Sequence, residues 1–286
     1  METLGIKFWG TRGMVSSPRP TTTEFGGNTT CLQVLYKENI IVVDTGYGVA
    51  LLGEKLKERI IKGKESLEIH IFFSHFHWDH VLGLSFFHPI YFPNTRLHLY
   101  APVSKQEMWE SLNVLFDGSY SPFSGIDSMP SKIEFHQLTS SLSIDGLKVD
   151  HIPTEHHIHG NERTYSTVYA YRFRAGSKSI VVATDHEAKQ CETNDAFVDF
   201  SRSTSLLVHD AQFTDNDVLV GWGHSTVKQA LDNAKRIQAK FTLLTHHDPK
   251  RNDSEILALD AEYRAKPEYA SVSFEFAREG RDYFCK

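Results

Sequence analysis

Apolar positions along the chain follow two spacings, one typical of helices and one of buried strands. Between residues 225 and 239, apolar residues recur every three or four positions, which predicts an amphipathic helix. Segments 49–61 and 104–116 are predicted helices too, and Ser104 and Glu107 have capping-box spacing. Runs of large and β-branched residues predict strands at 4–8, 69–73, 96–100, 147–151, 205–208, 241–245 and 272–276.

Two segments far apart in the chain share one plan. Residues 29–36 and 40–45 predict a hairpin that ends near an acid, Asp44. Residues 166–173 and 179–185 repeat this plan and end in Asp185. Two halves built alike would pack as two sheets, and the alternation of strands with helices places the helices outside them. The sequence therefore predicts an α/β fold with paired sheets.

Length and composition fit one enzyme-sized domain spanning residues 1–286. Hydrophobic residues make up 40% of the chain, enough for a large core, and no run approaches the roughly 18 consecutive apolar residues of a membrane span. No basic segment followed by an apolar one opens the sequence, so no secretory signal is expected. Three widely spaced cysteines without a C-x-x-C pair argue against a disulfide framework or thiolate zinc site and favour a reducing cytoplasm.

The charge of the chain bears on its partners. A formal net charge of -6 argues against the basic surface that long nucleic acids require. Small phosphorylated ligands remain compatible with it, because bound metal ions can supply positive charge locally. We therefore expect a small substrate, no membrane partner and no long nucleic acid. The oligomeric state stays open, and a homodimer is among the states that the sequence allows.

A dense group of metal-ligand residues follows the predicted strand 69–73. On extended chain the two side chains of an H-x-H pair point to the same side, so His75 and His77 can share one metal ion. Asp79 and His80 follow at the start of a predicted helix, where the turning backbone directs them toward a second ion nearby. A histidine-rich surface loop is disfavoured by this density of ligands. A single-metal site is a more serious alternative to two ions than a histidine-rich surface loop is.

Further candidate ligands lie at the ends of other predicted strands. Asp185 follows the apolar run 180–183, where a carboxylate can bridge two cations. Taken alone, Asp185 would be assigned as a helix cap or turn acid. His246 and His247 end strand 241–245, and one of them is expected to reach the metals. Segment 151–159 offers four histidines, most of them expected to be solvated bystanders.

The order of these motifs resembles that of the metallo-β-lactamase fold superfamily. The shared pattern is His-x-His-x-Asp-His followed by a histidine, an aspartate and a histidine at strand ends, over about residues 8–249. Segments 10–13, 26–31, 209–213 and 221–226 are similar to the phosphodiesterase branch, which includes ribonuclease Z and small cyclic-nucleotide or cyclic-phosphate phosphodiesterases. The resemblance implies a four-layer αββα sandwich and a metal-dependent hydrolase.

The resemblance also implies a dinuclear centre in which Asp185 bridges two ions. The first ion would also be bound by His75, His77 and His156. The second would also be bound by Asp79, His80 and His246. His157 is the alternative to His156, which we favour because of its distance from the preceding strand. Imidazoles and carboxylates suit Zn²⁺, with Mn²⁺ or Fe as alternatives. Two such ions roughly 3.5 to 4 Å apart can hold a bridging hydroxide and neutralise a phosphate.

His224 and Asp210 resemble the acid pair of the phosphodiesterase branch. In that role Asp210 would orient His224, which would protonate the leaving oxygen. The alternative is that His224 only caps the backbone at a helix start. With Asp79, these two are the predicted catalytic residues.

Other loop residues are candidates for supporting roles. Arg12 and Asn28 lie in glycine-bearing loops and either contact a phosphate or brace the loops. Asp44 is expected to support the metal-binding loop. Tyr120 and Phe123 lie in an insertion rich in Ser, Pro and Gly, where they either stack on a base or belong to an ordinary surface loop.

The predicted function is a phosphodiesterase that acts on a small substrate such as a cyclic nucleotide by attack of a metal-bridging hydroxide. A β-lactamase-type amide hydrolase needs neither a bridging Asp185 nor the acid pair. A lactone or thioester hydrolase can use every ligand, but it has less use for a leaving-group acid. Ribonuclease Z carries a tRNA-gripping arm, for which the interval between His156 and Asp185 leaves no room. An inactive binding module would normally lack a ligand or the acid.

Overall fold

The computed structural model describes residues 3–154, 156 and 167–286. Its strands form two seven-stranded sheets, which pack face to face over a shared apolar core. The strands are β1 (Leu4–Gly10), β2 (Cys31–Tyr36), β3 (Asn39–Val43), β4 (Leu67–Phe72), β5 (Thr95–Ala101), β6 (Lys132–Gln137), β7 (Leu142–Ile144), β8 (Leu147–Thr154), β9 (Val168–Ala175), β10 (Lys178–Ala183), β11 (Leu206–Asp210), β12 (Thr242–Thr245), β13 (Phe274–Phe276) and β14 (Asp282–Phe284).

The helices cover the outer faces of the two sheets, which completes four layers. They are α1 (Val49–Gly63), α2 (Trp78–Val81), α3 (Lys105–Asn113), α4 (Glu192–Ser201), α5 (Val227–Ile237) and α6 (Asp253–Ala265). Side chains of β4 and β5 alternate, so that Ile69 and Leu97 pack under helices while Phe72 and Tyr100 join the core between the sheets. The predicted αββα sandwich is confirmed.

Strand direction places many loops at one edge of the sandwich. The first sheet has the order β14-β1-β2-β3-β4-β5-β6, and the second has the order β13-β12-β11-β10-β9-β8-β7. Strands β3 to β6 run parallel, and so do β10 to β13. Because parallel strands end at the same edge of a sheet, the segments that follow β3, β4, β10, β11 and β12 can meet there.

The repeated plan seen in the sequence is present in the structure. β2 and β3 form an antiparallel hairpin followed by Asp44, and β9 and β10 form another followed by Asp185. Both aspartates adopt positive φ angles, 58° and 52°. That conformation is uncommon for a residue with a side chain, although aspartate tolerates it better than most.

Two predicted helices differ from the structure at their ends. α5 begins at Val227, because the side chain of Thr226 accepts a hydrogen bond from the Gln229 amide and the side chain of Gln229 accepts one from the Thr226 amide. α3 ends at Asn113 and continues as the 3-10 turn Val114–Phe116. Among the described residues no helix is long and apolar enough to cross a membrane.

Candidate metal centre

All seven predicted ligands lie at the shared edge of the two sheets. Two follow β4, two belong to α2, and one each follows β8, β10 and β12. His246 after β12 has a positive φ, 60°, and so shares with Asp185 after β10 a backbone conformation that is uncommon for residues with a side chain. The structure thus brings together residues that are far apart in the chain: His75, His77, Asp79, His80, His156, Asp185 and His246.

One set of ligand atoms comes from His75, His77, His156 and Asp185, and these atoms all lie within 4.8 Å of one another. Asp185 Oδ2 is 3.6 Å from His75 Nε2. The rings of His75 and His77 have centroids 4.4 Å apart, and the ring of His156 lies 5.1 Å from that of His77. Three imidazoles and one carboxylate oxygen converging on a point are a donor set typical of Zn²⁺.

The second set shares Asp185 with the first. Asp185 Oδ1 lies 3.0 Å from His80 Nε2 and 3.2 Å from His246 Nε2. Asp79 Oδ2 is 3.3 Å from each of these two nitrogens, and it also accepts a hydrogen bond from the Met14 amide at 2.7 Å. The two oxygens of Asp185 therefore face different sets, which is the placement that a bridging carboxylate requires.

Unsatisfied polar atoms show that these residues suit divalent metal ions. His75 Nε2, His80 Nε2 and Asp185 Oδ1 are buried and have no hydrogen-bond partner, although His80 and Asp185 approach closely. A buried polar atom without a partner costs about 1 to 3 kcal/mol, so three of them at one point call for a ligand. Histidine nitrogens and carboxylate oxygens are ligands that suit borderline divalent cations. The structure therefore supports a metal site through the type and the closeness of these residues.

The ring nitrogens that face away from the centre are held by neighbouring groups. Nδ1 of His80 donates to Asp44 at 2.9 Å, and Asp44 also accepts from the Ser74 amide at 2.7 Å. Nδ1 of His246 donates to the side-chain oxygen of Gln212 at 2.9 Å. These bonds fix the tautomers and leave Nε2 free to bind a cation. The supporting contact of Asp44 was expected from the sequence, whereas that of Gln212, in segment 209–213, was not.

Electrostatics in the metal-free protein differ between the two sets. Burial lowers the pKa of His75 well below its ordinary value of 6.5, so that its imidazole is neutral. Burial also acts against the charged form of His246, but Asp185 and other carboxylates raise its pKa to about 9. Burial opposes ionisation of Asp185 as well, yet His246 and His80 hold the pKa of this carboxyl well below its usual range. In the metal-free protein, the positive charge of protonated histidines in the second set thus compensates the negative charge of its carboxylates.

Metal uptake by the metal-free protein should therefore release protons near neutral pH. His246, with a pKa of about 9, carries a proton that a coordinating nitrogen must lose. Metal affinity should fall as the pH falls from about 9 to 7. The stabilisation that this histidine gives to the metal-free fold has the opposite trend: it is complete below an unfolded pKa of about 6.5 and lost as the pH rises through about 9.

Calorimetry of Zn²⁺ binding in buffers with different ionisation enthalpies measures this proton release directly. We expect the apparent enthalpy at pH 7 to depend on the buffer, and the affinity to increase between pH 7 and 9. An enthalpy independent of the buffer would contradict this electrostatic description of the second set.

His224 and Asp210 lie beside the predicted metal ligands. Asp210 Oδ2 accepts a hydrogen bond from Nδ1 of His224 at 2.7 Å, and both side chains are buried. The ring of His224 stacks on that of His246 with centroids 4.8 Å apart and lies 5.3 Å from that of His156. The pair is thus in place, with Nε2 of His224 as the ring nitrogen not bound to Asp210. Its role as a proton donor stays a prediction.

The loop that carries His224 is shaped by two glycines. Glu187 accepts hydrogen bonds from the amides of Gly221 and Gly223, at 3.0 and 3.2 Å. Gly223 has a φ of 79°, and a Cβ on it would lie 1.9 Å from Nδ1 of His156. Glycine is therefore required for His156 to donate to the Gly223 carbonyl at 3.0 Å. No motif in the sequence marks Glu187, so its role in this loop could not be predicted from the sequence.

The structure favours the bracing role for Arg12, and its phosphate contact stays an untested prediction. Its side chain is fully buried, and its guanidinium donates to the backbone carbonyls of Gly26, Asp248 and Arg251. Asn28 donates to Glu279 at 2.6 Å, which favours the bracing role for it as well.

His156 approaches the centre from beyond β8, and His157 lies outside the described residues. We predict that His156→Ala removes about one metal equivalent and most of the activity, because it withdraws one imidazole from the first set. His157→Ala is the matched control, a substitution of the same kind one residue away, and should leave the metal content close to that of the wild type. Elemental analysis of the purified variants measures the difference. The opposite ranking would transfer the assignment to His157.

Comparisons with known proteins agree with this geometry. The model of a family described as "Beta-lactamase superfamily domain" matches residues 39–247. Ribonuclease Z from Bacillus velezensis is 32% identical over 81 residues, a match that spans 27% of this chain and only 26% of that protein.

Two solved structures share the fold over nearly the whole chain. The metallo-β-lactamase fold protein YhfI from Bacillus subtilis superposes with a TM-score of 0.68 at 20% identity, over 99% of this chain and 100% of that one. A diphosphatase from the PhnP family gives a TM-score of 0.65 at 21% identity, over 98% and 96%. These likenesses confirm the predicted fold.

Proposed function

Because the chain belongs to the β-lactamase superfamily, we propose that it is a dinuclear, metal-dependent phosphodiesterase that hydrolyses a small phosphodiester such as a cyclic nucleotide. The observation that carries this proposal is the position of Asp185, whose two oxygens face two sets of ligands beside the pair His224 and Asp210. Family and fold support a metal-dependent hydrolase, and the phosphodiester substrate and the number of ions are proposed from the site itself.

The residues of the chain have separable tasks in this reaction. When bound, two divalent ions such as Zn²⁺ would make water more acidic and neutralise the charge on a phosphate. His224 would hold a proton on Nε2 and donate it to the leaving alkoxide oxygen. Asp210 would keep His224 in that tautomer and stabilise its charged form, because its carboxylate accepts from Nδ1 at 2.7 Å. Burial of both side chains keeps water from competing for the proton.

A cavity lined in part by Trp78 fits a small organic group, and Trp78 lies in the sequence between the predicted ligands His77 and Asp79. The cavity has a volume of about 540 Å³. That volume lies within the range of about 300 to 1,000 Å³ found for small-molecule sites. Its wall includes the aromatic rings of Phe86, Tyr120 and Phe123. The exposed rings of Phe86 and Tyr120 support a substrate that carries a base.

Two other functions within the same fold are the alternatives. A lactone or thioester hydrolase could use every metal ligand, but it would leave the His224 and Asp210 pair without a clear task. A ribonuclease Z-like nuclease is suggested by the relative from Bacillus velezensis, although that match spans a quarter of the relative's length. The net charge of -6 favours a small substrate over a long RNA.

A substrate panel assayed with one metal-loaded preparation distinguishes these functions. It should contain 2′,3′- and 3′,5′-cyclic nucleotides, linear dinucleotides, a tRNA precursor, a lactone, a thioester and bis-p-nitrophenyl phosphate. We expect kcat/KM to be highest for a cyclic or dinucleotide phosphodiester. Asp185→Asn is the control for contaminating activity, since it disturbs both ligand sets. A kcat/KM that is higher for the lactone, the thioester or the tRNA precursor would refute the proposal.

A further inference from the structure

A second group of histidines lies on strands β4, β5 and β6, and it shares no residue with the catalytic cluster. In the register of the sheet, His70 of β4 is paired with His98 of β5. Glu134 of β6 is paired with His98, and His136 of β6 is paired with Tyr100. Side chains alternate along each strand, so these residues share the face of the sheet that is turned away from α1. The rings lie in a row: His70 stacks on His98 with centroids 4.9 Å apart, and the ring of His136 is tilted against that of His98 with centroids 5.2 Å apart.

Three ligand atoms in this row converge. Nδ1 of His98 lies 3.0 Å from Nε2 of His136 and 3.6 Å from Oε2 of Glu134, and the last two atoms are 3.8 Å apart. Four ligands at the bond length of a zinc site, about 2.0 to 2.1 Å, are separated from one another by about 3.3 Å in a tetrahedron. The observed triangle brackets that value, so a cation could be bound with side-chain shifts of a few tenths of an ångström.

Neighbouring carboxylates and cations orient each of these ligands. Nε2 of His98 donates to Glu68 at 2.7 Å, which leaves Nδ1 with a lone pair directed at the other two ligands. Lys132 and Arg96 hold Oε1 of Glu134, at 2.7 and 2.9 Å, so that Oε2 remains on the side of the histidines.

We propose that His98, Glu134 and His136 form a second metal site, separate from the catalytic centre, that binds Zn²⁺ or a similar divalent transition ion. Three protein ligands leave a fourth position for water. Burial and the neighbouring His98 lower the pKa of His136, which keeps its imidazole neutral and able to coordinate. The ion would link β5 to β6, at the edge of the first sheet. Its role is structural, because it stabilises the pairing of that edge strand.

The alternative is a chain of ordinary hydrogen bonds. Nε2–H of His136 would donate to Nδ1 of His98, and Nε2–H of His98 would donate to Glu68. That arrangement satisfies both rings without a cation, and it leaves Oε2 of Glu134 more than 3.5 Å from either histidine. The two arrangements differ in the number of ions bound, which is directly measurable.

Metal content of His136→Ala and Glu134→Gln tests the proposal. The side chains of these two residues are 35% and 28% exposed, so the substitutions should not prevent folding. After chelator treatment and dialysis against Zn²⁺ alone, each variant should bind one equivalent fewer than the wild type and keep its full rate with bis-p-nitrophenyl phosphate. His88→Ala is the matched control, because it removes a histidine that belongs to neither group of candidate ligands and lies 3.4 Å from Glu54. Equal zinc content in the wild type and both variants would overturn the proposal.

The same comparison in an Asp185→Asn background separates this site from the catalytic one. There we expect Zn²⁺ still to raise the midpoint of thermal unfolding, because a ligand that binds only the folded state stabilises it. Adding His136→Ala should reduce that rise and remove one further equivalent. An identical rise and zinc content with and without His136→Ala would overturn the second site and leave the proposed phosphodiesterase activity untouched.

Discussion

Hydrolysis of a nucleotide phosphodiester by His224→Ala is expected to be slower than that of the wild type by a factor of about 10² to 10⁴, the usual contribution of general acid catalysis. A ribose alkoxide is a poor leaving group unless it is protonated, and His224 is held by Asp210 beside the metal ligands. The loss should be much smaller for bis-p-nitrophenyl phosphate, because p-nitrophenolate leaves without a proton. Steady-state kcat/KM for both substrates and elemental analysis of the variant measure the effect.

The partner residue supplies the control for this prediction. Asp210→Asn should follow the same dependence on the leaving group with a milder loss, since an amide can still contact Nδ1 but cannot stabilise a charged His224. Equal losses on both substrates with full metal content would assign His224 to phosphate binding or positioning. Loss of metal from the His224→Ala variant would show that His224 is a metal ligand. Its ring lies close enough to Asp185 and His246 for that role.

The second large effect is expected from Asp185→Asn. The substitution removes the charge that faces both ligand sets, through Oδ2 toward His75 and through Oδ1 toward His80 and His246. Both ions should be bound more weakly, and kcat/KM should fall by about 10³ or more, because such ions contribute several kcal/mol to catalysis. Metal content after dialysis and kcat/KM on bis-p-nitrophenyl phosphate measure both parts.

Asp79→Ala is the comparison that shows whether Asp185 bridges. Asp79 Oδ2 contacts His80 and His246 at 3.3 Å and belongs only to the second set. The Asp79→Ala variant should therefore lose close to one equivalent of metal, and Asp185→Asn should lose more than one. If both variants lost one and the same ion, Asp185 would belong to a single site.

The sequence could predict most of the centre because its ligands follow strands in recognisable patterns. His75, His77, Asp79 and His80 lie within six residues, and Asp185 follows an apolar run, so residue type and position were sufficient. The family resemblance supplied what local pattern could not, which was the convergence of segments more than a hundred residues apart. The structure brings these residues together, and their roles as ligands stay predictions.

What the sequence missed depends on contacts rather than on residue type. Gln212 holds His246, and Glu187 holds the His224 loop, through hydrogen bonds to groups distant in the chain, which neither periodicity nor spacing encodes. Arg12 has the charge of a phosphate ligand, but only the fold shows that three backbone carbonyls surround it. β6 has a mixed polar pattern because its histidine-bearing face is partly exposed, and it was missed as a strand.

Dependence of activity on bound metal tests the central claim most directly. Metal-free protein carrying His136→Ala, which excludes the proposed second site, should be titrated with Zn²⁺ and assayed with bis-p-nitrophenyl phosphate at each step. Two ions acting together predict little activity at one equivalent, maximal activity at two and no increase beyond. Full activity at one equivalent, or activity that survives complete removal of metal, would contradict a dinuclear phosphodiesterase.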